Sequence, residues 1–303
     1  MSAVASLGAT WAPLLRRWAA AAFGLLAVGA TANPPAAADL RRAEPGSGQP
    51  GVVCSAYTFR NVTLFEAVER AAQCGITAIE TYTNLPLSPD DPTRIYLLNE
   101  AQRERLRKHL DRHGVRIVSC MGAVPRDEQK ARAFFQIAKE LGASNIGTDS
   151  VDAIDTIERI IGDYDLTVAF HNHPPNPQRP GYRNSDPAFM KQLLAGRDPR
   201  IGVCADTGHY ATSNVVPLEA VKLLADRIKS VHLKDRAVIG RRTPDQVLGT
   251  GVLEVAGIMD ELKRHAFHGW YVIEYESNPG HNLTEVAQCA AFIRSQLTEN
   301  RSR

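Results

Sequence analysis

The sequence lacks several features that would assign it to a class directly. Among its 303 residues no internal run reaches the roughly 18 uncharged apolar residues that a membrane-spanning helix needs. Lys and Arg (35) nearly balance Asp and Glu (33), so a formal net charge of +2 gives no strong field for nucleic acid. No glycine-rich phosphate turn follows the first strand-like segment. A chain that is 44% hydrophobic is instead long enough for one large globular domain or two small ones.

Cysteine is also scarce and irregularly placed. The five cysteines are odd in number, none belongs to a CxxC pair, and three lie inside apolar strand-like runs. This pattern predicts buried free thiols rather than a disulfide framework. The residues are Cys54, Cys74, Cys120, Cys204 and Cys289.

The amino terminus differs in composition from the rest of the chain. Arg16 and Arg17 precede an apolar run over residues 18–30, and small residues follow. This order is typical of a secretory signal peptide, with cleavage after Ala32 or as late as Ala38. The arginine pair permits the twin-arginine export route, although its surroundings fit that pattern poorly. An uncleaved anchor and a mis-assigned start codon are the alternatives.

The sequence therefore predicts three regions. Residues 1–32 form the signal peptide, residues 33–50 form a proline- and glycine-rich flexible linker, and residues 51–303 form the folded domain. The mature protein is expected to be exported to a periplasm-like compartment or secreted.

From residue 51 onward, short apolar segments alternate with amphipathic segments. The predicted strands are 51–57, 76–82, 115–121, 144–148, 166–171, 201–206, 228–233 and 270–275. Helical patterns between them include 64–74, 100–113, 127–141, 217–226 and 255–264. Eight β/α units in about 250 residues predict an α/β fold of the (β/α)8 TIM barrel type, with a doubly wound open sheet as the alternative.

Four glycines are predicted to follow helix ends, where a left-handed residue satisfies the last carbonyls. They are Gly75, Gly114, Gly142 and Gly269.

Ionisable residues mark five of the eight predicted strand ends. In a TIM barrel the active site is built at the carboxyl ends of the strands. The residues mix imidazoles with carboxylates, which suits one borderline divalent ion such as Mn, Zn, Fe or Co. They are Glu80 after strand two, His171 and His173 after strand five, Asp206 and His209 after strand six, His232 and Lys234 after strand seven, and Glu274 and Glu276 after strand eight.

Each candidate ligand has a purely structural alternative. Asp206 could cap the following helix, and His232 could be a satisfied core histidine. A buried Glu274 would be costly without a cation. His171 and His173 point to the same side of the strand, so either could be the strand-five ligand.

A metal held by three or four side chains keeps positions open for substrate oxygens. Chelation of a carbonyl and its neighbouring hydroxyl acidifies the adjacent C–H, and a base then gives a metal-stabilised enediolate. Glu80, His173 and Glu276 are the candidate bases, although Glu80 could instead be a salt-bridged residue. Lys234 could hold an oxyanion or a substrate carboxylate, or could be a solvated lysine at the rim. Reprotonation gives isomerisation or epimerisation, whereas loss of a β-oxygen gives elimination, and the sequence leaves both open.

Two long loops could shape a pocket. Residues 174–183, after strand five, are rich in proline and are expected to form a stiff wall. Residues 236–251 carry Gly249-Thr250-Gly251, which could meet an anionic substrate group, although tight turns explain these glycines equally well.

The strand-end motifs together resemble the xylose isomerase-like TIM barrels. That superfamily includes sugar isomerases and epimerases, inosose dehydratase, dehydroshikimate dehydratase and endonuclease IV. The resemblance covers about residues 51–296. The motifs are Phe170-His171-Asn172-His173-Pro174, Asp206-Thr207-Gly208-His209, His232-Leu233-Lys234-Asp235, Leu248-Gly249-Thr250-Gly251 and Ile273-Glu274-Tyr275-Glu276.

The resemblance implies one divalent metal held by strands five to eight. Asp206, His232 and Glu274 match the family's ligands on strands six, seven and eight. The strand-five ligand is usually a glutamate, and His171 stands there instead. This departure removes one of the two glutamates through which the epimerases move a proton. His209 matches a histidine that contacts substrate oxygens.

The sequence thus predicts a divalent-metal-dependent isomerase or epimerase acting on a small carbohydrate, a sugar or keto-sugar. A lyase on the same scaffold (a keto-polyol dehydratase or 3-keto-glycoside eliminase) and a non-catalytic sugar-binding subunit are the alternatives. No nucleic-acid partner and, after signal cleavage, no membrane association are expected, while the oligomeric state stays open. A repair endonuclease is disfavoured because the places of its extra histidines read Glu80-Thr81-Tyr82, Cys120-Met121-Gly122 and Asp245-Gln246-Val247.

Overall fold

The computed structural model describes residues 51–298, and the predicted signal peptide and linker lie outside this range. Eight strands pair in parallel and in chain order, and the last pairs with the first, so the sheet closes into a barrel. The predicted TIM barrel is confirmed. The strands are β1 (Gly51–Ser55), β2 (Ala78–Tyr82), β3 (Arg116–Met121), β4 (Asn145–Thr148), β5 (Thr167–His171), β6 (Ile201–Asp206), β7 (Ile228–Leu233) and β8 (Trp270–Ile273).

The connections between the strands are mainly helical. Thr63 and Asn99 each begin a helix with a reciprocal capping box, which satisfies free N–H groups of the first turn. Among residues 51–298 no helix is long and apolar enough to cross a membrane. The helices are α1 (Leu64–Gln73), α2 (Glu100–His113), α3 (Glu128–Glu140), α4 (Ile154–Ile160), α5 (Pro187–Leu193), α6 (Thr207–Thr212), α7 (Pro217–Leu224), α8 (Val255–Arg264) and α9 (Leu283–Thr298).

Two short hairpins extend the loops beyond the strand ends. One pairs Pro86–Ser88 with Asp91–Arg94 after β2, and the other pairs Asp235–Arg236 with Asp245–Gln246 after β7. Most buried apolar side chains form one cluster that joins the strands to the helices. All five cysteines are buried and free, as predicted.

Gly269 departs from the prediction. Helix α8 ends at Arg264, and Ala266 takes the left-handed conformation (φ 51°) instead. At Gly269 the chain passes so close to β7 that a Cβ would lie 2.0 Å from the Lys229 carbonyl oxygen. The glycine is therefore explained by a close backbone approach rather than by a helix end. Gly114, by contrast, caps α2 with φ 62°, as expected.

Candidate active site

Four buried side chains converge where β5 to β8 end. One ligand atom from each of His171, Asp206, His232 and Glu274 lies within 4.8 Å of the other three. His171 Nε2 is 3.3 Å from Asp206 Oδ2, and His232 Nδ1 is 3.1 Å from Glu274 Oε2. The structure thus brings together the four residues that the sequence proposed as metal ligands. We call them the ligand cluster.

Asp206 serves two purposes with its two carboxylate oxygens. Oδ1 accepts a hydrogen bond from the His209 amide at 2.7 Å and caps α6. Oδ2 is buried and faces His171 Nε2 and the Lys234 ammonium. Asn172 fixes the backbone of Asp206, accepting from its N–H at 2.7 Å and donating to its carbonyl at 3.0 Å. The capping and ligand interpretations are therefore compatible.

The ligand cluster fits a divalent ion. Both ring nitrogens of His171 are buried with no hydrogen-bond partner, which is costly unless another group satisfies them. Two imidazoles and two carboxylates are donors that Mn, Fe, Co and Zn accept. Metal binding by these residues stays a prediction, and the donor set does not choose among these metals.

Lys234 is not a solvated lysine at the rim. Its Nζ is buried 3.0 Å from Asp206 Oδ2, 2.7 Å from Glu274 Oε2 and 2.5 Å from Glu276 Oε1. Burial alone would lower the pKa of Lys234, but the surrounding carboxylates hold this pKa well above its ordinary value. The ammonium group therefore balances negative charge beside the ligand cluster, and its contact with substrate stays a prediction.

Glu276, a predicted base, is held by cations. Besides Lys234, Arg60 Nη1 lies 3.3 Å from its Oε2, and Arg60 Nη2 donates to its carbonyl oxygen at 2.7 Å. Its own N–H donates to Asp245 at 2.6 Å. Both carboxylate oxygens of Glu276 are therefore engaged in ion pairs.

Glu80, another predicted base, is buried behind His232. Its Oε1 is 2.8 Å from His232 Nε2, whereas the other ring nitrogen faces the ligand cluster. Its Oε2 accepts a hydrogen bond from Ser119 Oγ at 2.8 Å. The salt-bridged interpretation of Glu80 therefore describes its contacts.

His173 and His209 face a cavity of about 450 Å³. Their ring centroids are 4.8 Å apart, and both rings pack against His171. Burial, followed by the charge of His171, lowers the pKa of His173 to about 4. Burial also lowers the pKa of His209 well below its usual value. Both imidazoles are accordingly neutral near pH 7 and able to accept a proton.

The proline-rich loop lines this cavity, as predicted. Pro174, Pro175 and Pro177 contribute to the wall together with Tyr182. The Tyr182 hydroxyl accepts from the His173 N–H at 2.9 Å and donates to the His171 carbonyl at 3.2 Å. Neither Tyr182 nor Asn172 was identified as functional from the sequence, although Asn172 lies between two candidate histidines.

The Gly249-Thr250-Gly251 turn is not an open anion site. The N–H groups of Gly249 and Gly251 both donate to Asp235 Oδ2 at 2.9 Å, and Leu253 N donates to Asp235 Oδ1 at 3.1 Å. The turn is thus folded around a carboxylate of the chain itself.

The sequence model of the xylose isomerase-like TIM barrel family matches residues 68–296. The chain belongs to this family. Solved structures with a similar fold include a putative uncharacterised protein from Parabacteroides distasonis. That chain is 28% identical, with a TM-score of 0.65, and the match covers 81% of this chain and 98% of that one.

A structure titled IolI protein with a binding zinc atom also matches this xylose isomerase-like barrel. It is 16% identical, with a TM-score of 0.60 and coverage of 82% of this chain and 98% of that one. At this identity the likeness shows the fold alone.

Curated relatives of the family member described here are named as dehydratases. An inosose dehydratase of Lactiplantibacillus plantarum is 29% identical over 163 residues, which cover 46% of this chain and 51% of that protein. Inosose dehydratases of Halalkalibacterium halodurans and Bacillus velezensis match over similar lengths. The chain spans about half the length of the curated relatives it matches. These relatives are named as lyases and not as isomerases or epimerases.

Proposed function

We propose that this barrel is a divalent-metal-dependent lyase. It removes a proton next to the ketone of a keto-polyol or 3-keto-glycoside and expels the oxygen on the β-carbon as water or an alcohol. The names of the curated relatives support this choice over isomerisation or epimerisation.

The proposal rests on one observation, which is that the side chains available for proton transfer at the cavity are mainly imidazoles. Two imidazoles, His173 and His209, line it. Asp149 is the one carboxylate among the described lining residues, and it forms an ion pair with Arg179. Epimerisation at one carbon needs acid–base groups on both faces of that carbon, whereas elimination can proceed with a base and an acid on one side. Adjacent imidazoles suit the second case.

The ligand cluster and the two histidines divide the chemistry between them. A bound divalent ion would act as a Lewis acid on the substrate carbonyl and acidify the neighbouring C–H. His173 takes that proton as the C–H bond breaks. Its imidazolium then gives the proton to the leaving oxygen as the C–O bond breaks and the C=C bond forms, which releases water or the alcohol and leaves His173 neutral again. His209 stays neutral and contacts the substrate oxygens.

The proposed substrate carries no phosphate. The amide groups of the Gly249-Thr250-Gly251 turn, the candidate anion site of the sequence, are occupied by Asp235. We also propose export of the mature protein, based on the pattern of residues 1–38, and an exported enzyme meets free sugars and glycosides.

The test incubates the purified protein with Mn²⁺ or Zn²⁺ and two probes, an inosose and a 3-keto-glucoside, in D₂O. Elimination produces an unsaturated ketone that mass spectrometry and ultraviolet absorbance detect, with water or the alcohol released. Asp206→Asn is the matched control. Asparagine also caps helices, so this variant keeps the cap of α6 and removes the ligand charge.

Elimination that is lost in Asp206→Asn supports the proposal. A different result would point to an epimerase or isomerase instead of a lyase. In that case the probe or its epimer is recovered without loss of water or alcohol, and it carries deuterium at the carbon next to the ketone. Metal binding with neither elimination nor deuterium exchange would leave a sugar-binding subunit.

A further inference from the structure

The carboxylate of Glu80 is buried and is not among the residues that line the cavity, yet it contacts His232 of the ligand cluster. Its side chain is 1% exposed. The two nitrogens of His232 face different carboxylates, with Nδ1 towards Glu274 at 3.1 Å and Nε2 towards Glu80 at 2.8 Å. Nε2 and Glu80 Oε1 are in contact but are not aligned for a hydrogen bond in this conformation. Nε2 is nevertheless the ring nitrogen next to Glu80, and a proton there leaves the Nδ1 lone pair directed at the cluster.

Glu80 is itself held by hydrogen bonds that run through the neighbouring strands β3, β4 and β5. Ser119 Oγ on β3 donates to Glu80 Oε2 at 2.8 Å. Asn145 Nδ2 on β4 donates to Ser119 Oγ at 3.0 Å, and Thr167 Oγ1 on β5 donates to Asn145 Oδ1 at 2.8 Å. We call these three residues the interior chain. Ser119 thus anchors Oε2 of Glu80, which leaves Oε1 of the same carboxylate directed at His232.

We infer that Glu80 is a positioning residue that selects the tautomer of His232 and orients its Nδ1 for a metal ion, and that the interior chain fixes Glu80 for this task. The inference rests on the proposed metal-dependent function, and it replaces the role of base that the sequence suggested for Glu80. A carboxylate that accepts the second N–H of a ligating histidine raises the basicity of the ligand and restricts its rotation.

The interior chain distinguishes this role from ordinary core packing. If Glu80 served only to pack the core, its buried negative charge would need a single partner, and His232 is that partner. Here the second oxygen is bound by a hydroxyl whose own orientation depends on two further strands. Removal of the Ser119 hydroxyl should therefore weaken metal binding although Ser119 contacts no member of the ligand cluster.

The experiment measures the dissociation constant of Zn²⁺ by competition with a chelator in the full chain. It compares the wild type, Glu80→Gln, Ser119→Ala and Ser88→Ala. Ser88, a buried serine in the hairpin after β2, also donates to a carboxylate, Asp90 Oδ1, at 2.8 Å and is the matched control for Ser119. We expect Zn²⁺ to bind about 10- to 100-fold more weakly to Glu80→Gln than to the wild type, with a smaller loss of affinity in Ser119→Ala and no change in Ser88→Ala. Turnover of Glu80→Gln should recover as Zn²⁺ is raised.

Wild-type affinity in Glu80→Gln, with turnover lost at every Zn²⁺ concentration, would overturn the inference and restore Glu80 as a base. If Glu80→Gln does not fold, an unchanged affinity in Ser119→Ala overturns the inference. Affinity and elimination are separate readouts. A Zn²⁺ site that depends on Glu80 in a protein without elimination activity would reject only the proposed function.

Discussion

The ends of β5 and β8 carry the same sequence pattern but present different chemistry. Each has two ionisable residues separated by one residue, and in each the first residue belongs to the ligand cluster. The second residues differ, because the His173 side chain is 45% exposed and lines the cavity, whereas Glu276 is 12% exposed and contacts Lys234. Alternation along a strand predicted both pairs equally well.

The difference lies in the neighbours from other elements. At the end of β8, Arg60 and Lys234 approach Glu276 from the segment after β1 and from β7. At the end of β5, His173 has Asp149 at 3.9 Å and a hydroxyl from the proline-rich loop. One candidate base is thus held as a charge partner and the other is available for proton transfer.

Substitution of His173 and of Glu276, one at a time, tests whether the two strand ends differ in function. We expect His173→Gln to lower kcat for elimination by about 10²- to 10⁴-fold, because a general base contributes this much. Metal content should be unchanged, since His171 is the strand-five member of the ligand cluster. Loss of the metal with the activity would instead make His173 the strand-five ligand.

Glu276→Gln is expected to act mainly on stability. It leaves Lys234 with two carboxylates instead of three and removes a charged partner of Arg60. Hydrogen bonds to charged groups are worth about 1.5–3 kcal/mol, so the free energy of unfolding should fall by about that amount. Denaturant unfolding measures it, and kcat should change by less than tenfold. A drop in kcat as large as that of His173→Gln would show that the two strand ends work alike.

Local pattern predicted the barrel and nine candidate residues at its strand ends, and the resemblance to the xylose isomerase-like barrels selected the four cluster residues among them. Apolar strand segments that alternate with helical segments predict the β/α repeat, and parallel strands bring their carboxyl ends to the same face of the barrel. The partners of those residues depend on tertiary register, which local pattern does not contain. In β2 the register of the pairing with β3 shifts between Ile79 and Glu80. Glu80 contacts Nε2 of His232, the ring nitrogen that does not face Glu274.

Two further features illustrate the same limit. Asp235 fills the Gly249-Thr250-Gly251 turn from fourteen residues away, so an apparent anion site is satisfied by the chain itself. Gly269 is required by the passing Lys229 carbonyl rather than by the helix before it. In both cases the deciding contact is with an element that is distant in the sequence.

Substitution of Tyr182 tests whether its hydroxyl positions His173 at the end of β5. Its hydroxyl bonds the His173 N–H and the His171 carbonyl, so Tyr182→Phe should cost about 1 kcal/mol of unfolding free energy. It should also lower kcat by less than tenfold, because His173 is then less precisely placed over the cavity. Tyr164→Phe is the matched control, since Tyr164 donates one comparable hydrogen bond to the Arg132 carbonyl far from the cavity. Equal losses of stability with a kcat effect confined to Tyr182→Phe would show that this hydroxyl positions His173. If kcat is unchanged in both variants, the remaining contacts of β5 are sufficient to place the histidine.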